Sequence, residues 1–247
     1  MFKEYLNNYR ECITEGNPNN GICYDGAVMP EVYFQRKPRL LFLLKETNGN
    51  NNDGSSNDLL SDWDYMCWVN KQAKRQEPLY RSVYRNIAMW SRQFELYSLG
   101  NVPKASDLMD ENGLVIDDTL CRALEGIALI NLKKSWGTES TDWYQMKSYL
   151  DGDTARKDIL RHQVTALAPD LVLCGGTFDF AHDIFGKKSP IGHTIANHQR
   201  IDWFISNDTM FVSCYHPSKP GWSREASFTH ANNLFEMYFK MKDSLHA

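Results

Sequence analysis

The amino-acid sequence predicts a single α/β domain, a three-layer α/β/α sandwich around a central four-stranded, mainly parallel sheet. Two observations predict this fold. Four short, continuously apolar runs have the length of buried strands, and segments with helical spacing lie between them. None of the runs is followed by another strand at hairpin spacing, which favours parallel crossover connections. The 247 residues suffice for one sizeable core, and the sequence has no internal repeat or evident linker.

The apolar runs are the predicted strands of the sheet. In chain order they are Leu40 to Leu44, Ile127 to Leu132, Leu171 to Cys174 and Met210 to Tyr215. A helix predicted over Ala155 to Ala168 leads directly into the third run, which is the order of a parallel βαβ unit. A second helix is predicted over Phe228 to Leu245.

A long insertion, at about residues 48–100, separates the first two predicted strands. It opens with an Asn- and Gly-rich stretch that is too polar for regular structure. An aromatic stretch follows, in which Val83, Ile87, Trp90 and Phe94 repeat at helical spacing. Because of this spacing we expect most of the aromatic side chains of the stretch to belong to the core.

Composition limits the class of protein and its compartment. No stretch approaches the roughly 18 apolar residues that a membrane-spanning helix needs, and the N-terminal residues lack the apolar centre of a secretory signal. The six cysteines form no C-x-x-C pair, and Cys174 and Cys214 lie in apolar runs as buried thiols. We therefore expect a cytoplasmic protein with no membrane partner, no metal and no cofactor, and the absence of a long heptad favours a monomer.

The charge distribution bears on nucleic-acid binding. The formal net charge of −4 argues weakly against it, because phosphate neutralisation supplies most of the affinity. Basic residues nevertheless cluster over residues 71–92, and the pairs Lys133-Lys134 and Lys187-Lys188 each follow a predicted element. Each cluster is equally consistent with a solvated face or with a DNA contact.

Polar residues cluster where the predicted strands end. Lys45 to Gly49 follow the first strand, Asn131 lies near the end of the second, and His216 to Arg224 follow the fourth. Parallel α/β sheets bind their ligands at the carboxyl ends of the strands. The sequence therefore predicts one site built from these three segments.

These segments resemble the uracil-DNA glycosylase superfamily. His216-Pro217-Ser218, after an apolar strand and with Arg224 eight residues beyond the histidine, is similar to that family's second signature. The strand ending in Asn131 resembles the one whose asparagine reads the extruded base. Lys45 to Gly49 stand in the place of the first, water-positioning signature. The order and spacing agree from about residue 38 to residue 236.

The resemblance implies a monofunctional DNA glycosylase, which flips a base from DNA and hydrolyses its N-glycosidic bond to leave an abasic site. His216 would donate a hydrogen bond to the departing base, although a histidine bonded into a loop is the alternative. Asn131 would face the Watson–Crick edge of the base, although any buried polar side chain needs a partner. Residues expected to contact DNA are Ser218, Lys219, Trp222, Arg224, Lys133 and Lys134. Trp222 either fills the gap left by the flipped base or anchors the core.

The first signature departs from the family pattern. Thr47 stands where the best-known branch has an aspartate, and a threonine cannot act as a carboxylate base. Glu46 before it or Asn48 after it would then hold the attacking water, and Asp53 is a more distant candidate. We favour Glu46, whose carboxylate is equally consistent with an ion pair to Lys45.

The same segment bears on the choice of base. Gly49 stands where the uracil-specific branch has a tyrosine that walls off carbon 5 of the base. By the same resemblance, Lys45, four residues earlier, belongs to the base-binding segment. An open wall favours a carbon-5-substituted pyrimidine, such as glucosylated hydroxymethylcytosine in phage DNA, which some superfamily members excise in anti-phage defence. Uracil remains an alternative. The cysteines do not supply the quartet of the iron–sulfur branches.

Other hypotheses remain open. The main alternative is a non-catalytic DNA-binding protein that retains the base pocket. Lys45 also offers an amine that could form a Schiff base, which would make the enzyme a strand-cutting one. A small-molecule enzyme is disfavoured, because the chain has no G-x-G-x-x-G, P-loop or G-x-S-x-G motif.

Overall fold

The computed structural model confirms the α/β class. It describes residues 3–16, 21–45, 63–74, 82–110, 113–115, 117–135 and 142–245. The strands are β1 (Cys23–Tyr24), β2 (Gly26–Ala27), β3 (Leu40–Leu44), β4 (Trp63–Asp64), β5 (Met109–Asp110), β6 (Gly113–Leu114), β7 (Ile127–Asn131), β8 (Leu171–Gly175), β9 (Gly192–Ala196), β10 (Gln199–Ser206) and β11 (Thr209–Cys214). The helices are α1 (Lys3–Asn8), α2 (Arg10–Ile13), α3 (Pro30–Tyr33), α4 (Tyr65–Ala73), α5 (Ser82–Ser98), α6 (Asp118–Arg122), α7 (Trp143–Gly152), α8 (Thr154–Leu167), α9 (Phe178–Phe185) and α10 (Arg224–Leu245).

The four predicted strands lie side by side in the main sheet. Their order is β7-β3-β8-β11, and each neighbouring pair is parallel. The predicted bounds differ from the observed ones by one residue or less at each end. Continuous apolar runs locate these strands because each is buried on both faces of the sheet.

The prediction of a four-stranded sheet was wrong, because the main sheet has seven strands among the described residues. The strand β2 pairs antiparallel with β7 at one edge. At the other edge β10 pairs antiparallel with both β11 and β9. Two-residue turns at Asn197-His198 and Asn207-Asp208, each with both φ angles positive, connect these last strands. The β9-β10-β11 edge therefore arises from tight hairpins that the apolar runs did not reveal, whereas the β2 edge is a two-residue strand that pairs with the distant β7.

Helices cover both faces of the sheet. Leu40, Phe42 and Leu44 point to one face, which packs against α5 and α10. Leu41 and Leu43 point to the other face, which packs against α7, α8 and α9. This alternation, with period two along β3, gives the sheet two hydrophobic cores.

Part of the predicted insertion supplies one of these cores. The aromatic side chains of Trp90, Tyr84 and Phe94 on α5 are buried, as predicted from the helical spacing. Ile87 is also fully buried, whereas Val83 is only partly buried against the same core. The indole Nε1–H of Trp90 donates to Ser227 Oγ on α10 over 3.0 Å. This bond joins α5 to α10, the helix that follows residues 216–223, which we call the His216 segment.

The C-terminal helix begins earlier than predicted. It starts at Arg224 rather than at Phe228, and Ser223 Oγ accepts the main-chain N–H of Ala226 over 3.0 Å. A serine that accepts such a bond caps a helix N-terminus. The segment after His216 is therefore short and ends on a capped helix.

Membrane insertion finds no support in the described helices, none of which combines the length and the apolar content needed to cross a bilayer.

Candidate active site

The carboxyl ends of the four parallel strands lie at one edge of the sheet. In the register of the sheet Asn131 is opposite Leu44, and Gly175 is opposite Cys214. The ends of β7 and β11 are three strand spacings apart, or about 14 Å at about 4.8 Å per spacing. The segments after the strands determine whether Asn131 and His216 approach each other.

The first strand end remains joined to the second beyond the sheet. The N–H of Leu132 donates to the carbonyl of Leu44, and the N–H of Lys133 donates to the carbonyl of Lys45, each over 2.9 Å. The segment after β7 therefore runs alongside the start of the predicted water-positioning segment.

The fourth strand end crosses over the third. A Cβ built on Gly175 would lie 2.9 Å from Leu44 Cδ2, 3.3 Å from Pro217 Cδ and 3.6 Å from the Cα of His216. A side chain at position 175 would therefore crowd the Leu44 side chain and Pro217, both of which lie over the end of β8. The His216 segment thus leans across β8 towards Lys45, which narrows the gap left by the strand spacing.

His216 has a defined tautomer. The main-chain N–H of Ser218 donates to His216 Nδ1 over 3.2 Å, and the Ser218 hydroxyl lies 2.7 Å from the same nitrogen. A main-chain N–H can only donate, so Nδ1 is an acceptor and does not carry the proton. The neutral ring therefore carries its proton on Nε2.

The surroundings of His216 keep its ring neutral. Burial and, to a smaller extent, the charge of the nearby Lys45 ammonium together lower the pKa of His216 to about 4. At neutral pH the ring is an N–H donor and not an acid. His216 as a whole residue is half-buried.

An insertion helix and the segment itself anchor the histidine. The side-chain amide of Asn86 on α5 donates to the carbonyl of Pro217, and the N–H of Lys219 donates to the carbonyl of His216 over 2.9 Å. The sequence analysis did not identify Asn86. Its only signal was a polar residue one position before the buried Ile87.

An aromatic cluster follows the histidine. The Lys219 ammonium lies 3.3 Å from the ring centroid of Tyr215 and 4.6 Å from that of Trp222. The Trp222 ring meets Tyr215 and His230 edge-on, at 4.8 and 5.0 Å between centroids. Trp222 therefore packs on its own segment and on α10, and Lys219 is held between two rings.

His230 is a second histidine at this edge that the sequence analysis did not single out. It is 2% exposed. Its Nε2 accepts the main-chain N–H of Tyr215 over 3.3 Å, and its Nδ1 donates to Gln199 Oε1 over 2.9 Å. Burial, aided by the Lys219 charge, lowers the pKa of His230 to about 4. A neutral His230 therefore fixes the residue that precedes His216.

Asn131 is 1% exposed and belongs to a buried polar network. Its main-chain N–H donates to Asp25 Oδ2 over 2.7 Å, and its Nδ2 donates to the same oxygen over 3.4 Å. Asp25 precedes the edge strand β2 and was not predicted as a site residue. The structure therefore provides the partner that a buried asparagine needs.

The two lysines expected to contact DNA differ. Lys134 is 2% exposed, and its ammonium lies 2.8 Å from both carboxylate oxygens of Asp25. The expected DNA contact of Lys134 is therefore incorrect for this arrangement, because the charge is buried and paired. Lys133 is half-buried, 3.7 Å from a Glu15 carboxylate oxygen and 5.5 Å from the Tyr149 ring centroid.

The remaining predicted residues fall into two groups. Ser218 and Arg224 are exposed beside the capped start of α10. Glu46, Thr47, Asn48, Gly49 and Asp53 lie outside the described residues. The described part of the site thus contains the hydrogen-bond donor, the amide and the surface groups, but not the water-positioning candidates.

Searches of protein-family models and of curated protein sequences found no match to this chain. Within the described ranges no group of three or more His, Cys, Asp or Glu side chains is arranged to hold a metal ion.

Proposed function

We propose that the protein is a monofunctional DNA glycosylase, which flips a pyrimidine out of DNA and hydrolyses its N-glycosidic bond. His216 carries the proposal. It lies at the carboxyl edge of the parallel strands, its tautomer places the proton on Nε2, and its low pKa keeps the ring neutral. The expected product is free base and an intact strand with an abasic site.

Cleavage of the N-glycosidic bond requires a hydrogen-bond donor of this kind. As the bond between sugar and base breaks, its electron pair moves to the base and positive charge develops on the sugar. A neutral imidazole N–H can stabilise the resulting negative charge on a base oxygen by a hydrogen bond. Because the pKa of His216 is about 4, the ring donates a hydrogen bond at neutral pH without first carrying a full positive charge.

The attacking water adds to carbon 1′ of the sugar, and its proton passes through the water-positioning group to the departing base anion, which leaves as the neutral free base. We assign its positioning to the segment after β3, with Glu46 as the favoured residue and Thr47 or Asn48 beside it. Lys45, which precedes them, bears on His216 through its charge. The proposal gives Lys45 this electrostatic role and no Schiff base.

DNA is the proposed partner of the exposed face. Ser218 and Arg224 are exposed next to the start of α10, and Lys219 lies between them in the sequence. Hydroxyl, ammonium and guanidinium groups beside a helix N-terminus suit phosphate oxygens. We propose that this segment grips the strand on one side of the flipped nucleotide.

The proposed substrate is a carbon-5-substituted pyrimidine, with glucosylated hydroxymethylcytosine of phage DNA first and uracil second. The support is the glycine at position 49 in place of a tyrosine wall. A role in anti-phage defence would follow from the first substrate and a role in repair from the second.

One observation favours a second candidate function, a non-catalytic DNA-binding protein with the same pocket. Asn131 is buried and hydrogen bonded to Asp25, so its amide is already partly satisfied. A binder of this kind would show salt-dependent DNA affinity and no base release. It would also be indifferent to Glu46→Gln.

The two functions separate in a strand-cleavage assay. Duplex and single-stranded oligonucleotides carrying one uracil, hydroxymethyluracil or glucosylated hydroxymethylcytosine are incubated with the protein and then split into samples with and without alkali. We expect alkali-dependent cleavage at the modified position, and a loss of it by a factor of about 10² in His216→Ala. Cleavage without alkali, or borohydride trapping at Lys45, would contradict the monofunctional mechanism. No cleavage of any substrate would favour the binder.

A further inference from the structure

A fully buried carboxylate controls the side-chain amide of Asn131. Asp25 is 0% exposed in its side chain and accepts both the main-chain N–H and the Nδ2 of Asn131 on one oxygen. Asp25 lies beside Asn131 because Gly26, the next residue in the chain, pairs antiparallel with Leu129 of β7. The contact thus joins an edge strand to the end of the strand that bears the asparagine.

The charge of Asp25 is compensated inside the protein. Lys134 Nζ lies 2.8 Å from each oxygen, and Gln163 Nε2 donates to Oδ1 over 3.0 Å. Burial lowers the pKa of Lys134, and the Asp25 charge opposes that shift. Asp25 therefore accepts on both oxygens: Asn131 donates to Oδ2, Gln163 donates to Oδ1, and the Lys134 ammonium contacts both.

An ionised carboxylate sets the orientation of a neighbouring amide. It can accept hydrogen bonds but cannot donate them, so Asn131 must turn Nδ2 and not Oδ1 towards Asp25. Flipping the amide would place two acceptor oxygens against each other in a buried site, which is unfavourable. Asn131 is therefore held in one of its two possible orientations.

That orientation matters because the two pyrimidine edges have opposite patterns. Uracil offers a donor at N3 and an acceptor at position 4, whereas cytosine offers an acceptor at N3 and a donor at position 4. One amide orientation matches the first pattern and the flipped orientation matches the second. An amide that cannot flip reads only one of them.

We propose that Asp25 is a specificity-determining positioning residue, which fixes the Asn131 amide so that the slot accepts one pyrimidine edge pattern and rejects the other. This inference rests on the proposed glycosylase function. The role of Asp25 is exerted through Asn131, and the Lys134 ammonium, 2.8 Å from both oxygens, holds the carboxylate in place.

The test compares base selectivity between wild type and Asp25→Asn. An asparagine at position 25 can donate or accept, so both orientations of Asn131 become available. We expect the ratio of kcat/KM between uracil-type and cytosine-type substrates to move towards unity by a factor of about ten or more, since a lost hydrogen bond is worth about that much. Asp25→Asn/Lys134→Met avoids leaving a buried unpaired ammonium and should show the same change.

Gln163→Leu is the matched control. It removes a buried bond to Asp25 Oδ1 and lowers stability, but it leaves both contacts from Asp25 to Asn131 in place. We expect its selectivity ratio to equal that of wild type. Nuclear magnetic resonance of the Asn131 side-chain amide, assigned by its loss in Asn131→Ala, gives a readout independent of catalysis. Its exchange with water should accelerate in the two Asp25 variants and not in Gln163→Leu.

The possible failures differ. If wild type releases base and the folded Asp25 variants keep its selectivity ratio, the inference is overturned while the proposed function stands. An equal change of the ratio in Gln163→Leu would also overturn it, because general loosening of the network would then be the cause. If wild type releases no base from either class, the proposed function fails, and the specificity role fails with it.

Discussion

The main-chain N–H of Ser218 donates to Nδ1 of His216 over 3.2 Å, which determines where the imidazole carries its proton. Only Pro217 separates His216 from Ser218, so the imidazole ring lies next to the main-chain N–H of Ser218. We expect ¹⁵N spectra of the ring to show a protonated Nε2 and an unprotonated Nδ1 from neutral pH down to about pH 5, because the pKa of His216 is about 4.

Ser218→Ala is the companion variant. It keeps the main-chain N–H and removes the hydroxyl, so we expect the same tautomer and a base-release rate several-fold lower, since one of two hydrogen bonds to the ring is lost. A ring that is protonated on Nδ1, or one that titrates near 6.5, would contradict this description of His216.

Lys45→Met tests the electrostatic coupling at the strand ends. The Lys45 charge lowers the pKa of His216, so its removal should raise that pKa towards the ordinary value. In wild type we expect base release to stay constant from neutral pH to about pH 5 and to fall towards pH 4. The acid limb should lie at higher pH in Lys45→Met. Lys133→Met, which removes a neighbouring lysine paired with Glu15, should leave it in place.

His230→Gln tests the second histidine through the pH dependence of unfolding. The pKa of His230 is about 4 when folded and near 6.5 when unfolded, so between these values the unfolded chain binds more protons. This histidine therefore lowers the free energy of unfolding as pH falls from 6.5 to 4, by about 1.4 kcal/mol per pH unit.

The measurement is urea unfolding of wild type and His230→Gln at several pH values. Glutamine can still accept the N–H of Tyr215 but cannot gain a proton. The slope of unfolding free energy against pH should therefore decrease in the variant between pH 6.5 and 4. Identical slopes would show that His230 is not held neutral in the fold.

Trp222→Ala separates the two hypotheses for this residue. Trp222 packs edge-on against Tyr215 and His230, so we expect a loss of about 2 kcal/mol in unfolding free energy. Base release should fall equally on single-stranded and duplex substrates, because the His216 segment loosens in both. A selective loss on duplex DNA with unchanged stability would instead support a side chain that fills the gap in the stack.

The central strands were predictable because a strand that is buried on both faces of the sheet has apolar residues at consecutive positions. Leu40 to Leu44 form a run that no amphipathic element would contain, and the structure gives β3 those bounds. The edge strands of the sheet were harder to predict from the sequence. The Asn207-Asp208 turn carried a hairpin signal, but the alternating residues before it are only half-buried and were not counted as a strand.

The polar network could not be predicted from sequence. Lys133 and Lys134 are identical neighbours, yet one is half-buried near the surface and the other is fully buried. The difference depends on Asp25, which is 109 residues away in the chain and lies in an edge segment too short to leave a periodic pattern. The hydrogen bonds of the His216 ring are instead local in sequence, because Ser218, two residues later, supplies both of them.

The central claim is that His216 drives the release of a base at this edge of the sheet, and mass spectrometry of the freed bases tests it most directly. DNA containing uracil, hydroxymethyluracil and glucosylated hydroxymethylcytosine is incubated with wild type and with His216→Ala, and the small-molecule fraction is analysed. The account predicts one free pyrimidine from wild type, at least about 10² less from the variant, and no cut strand. Equal release from both proteins, or none from wild type on any of these DNAs, would contradict it.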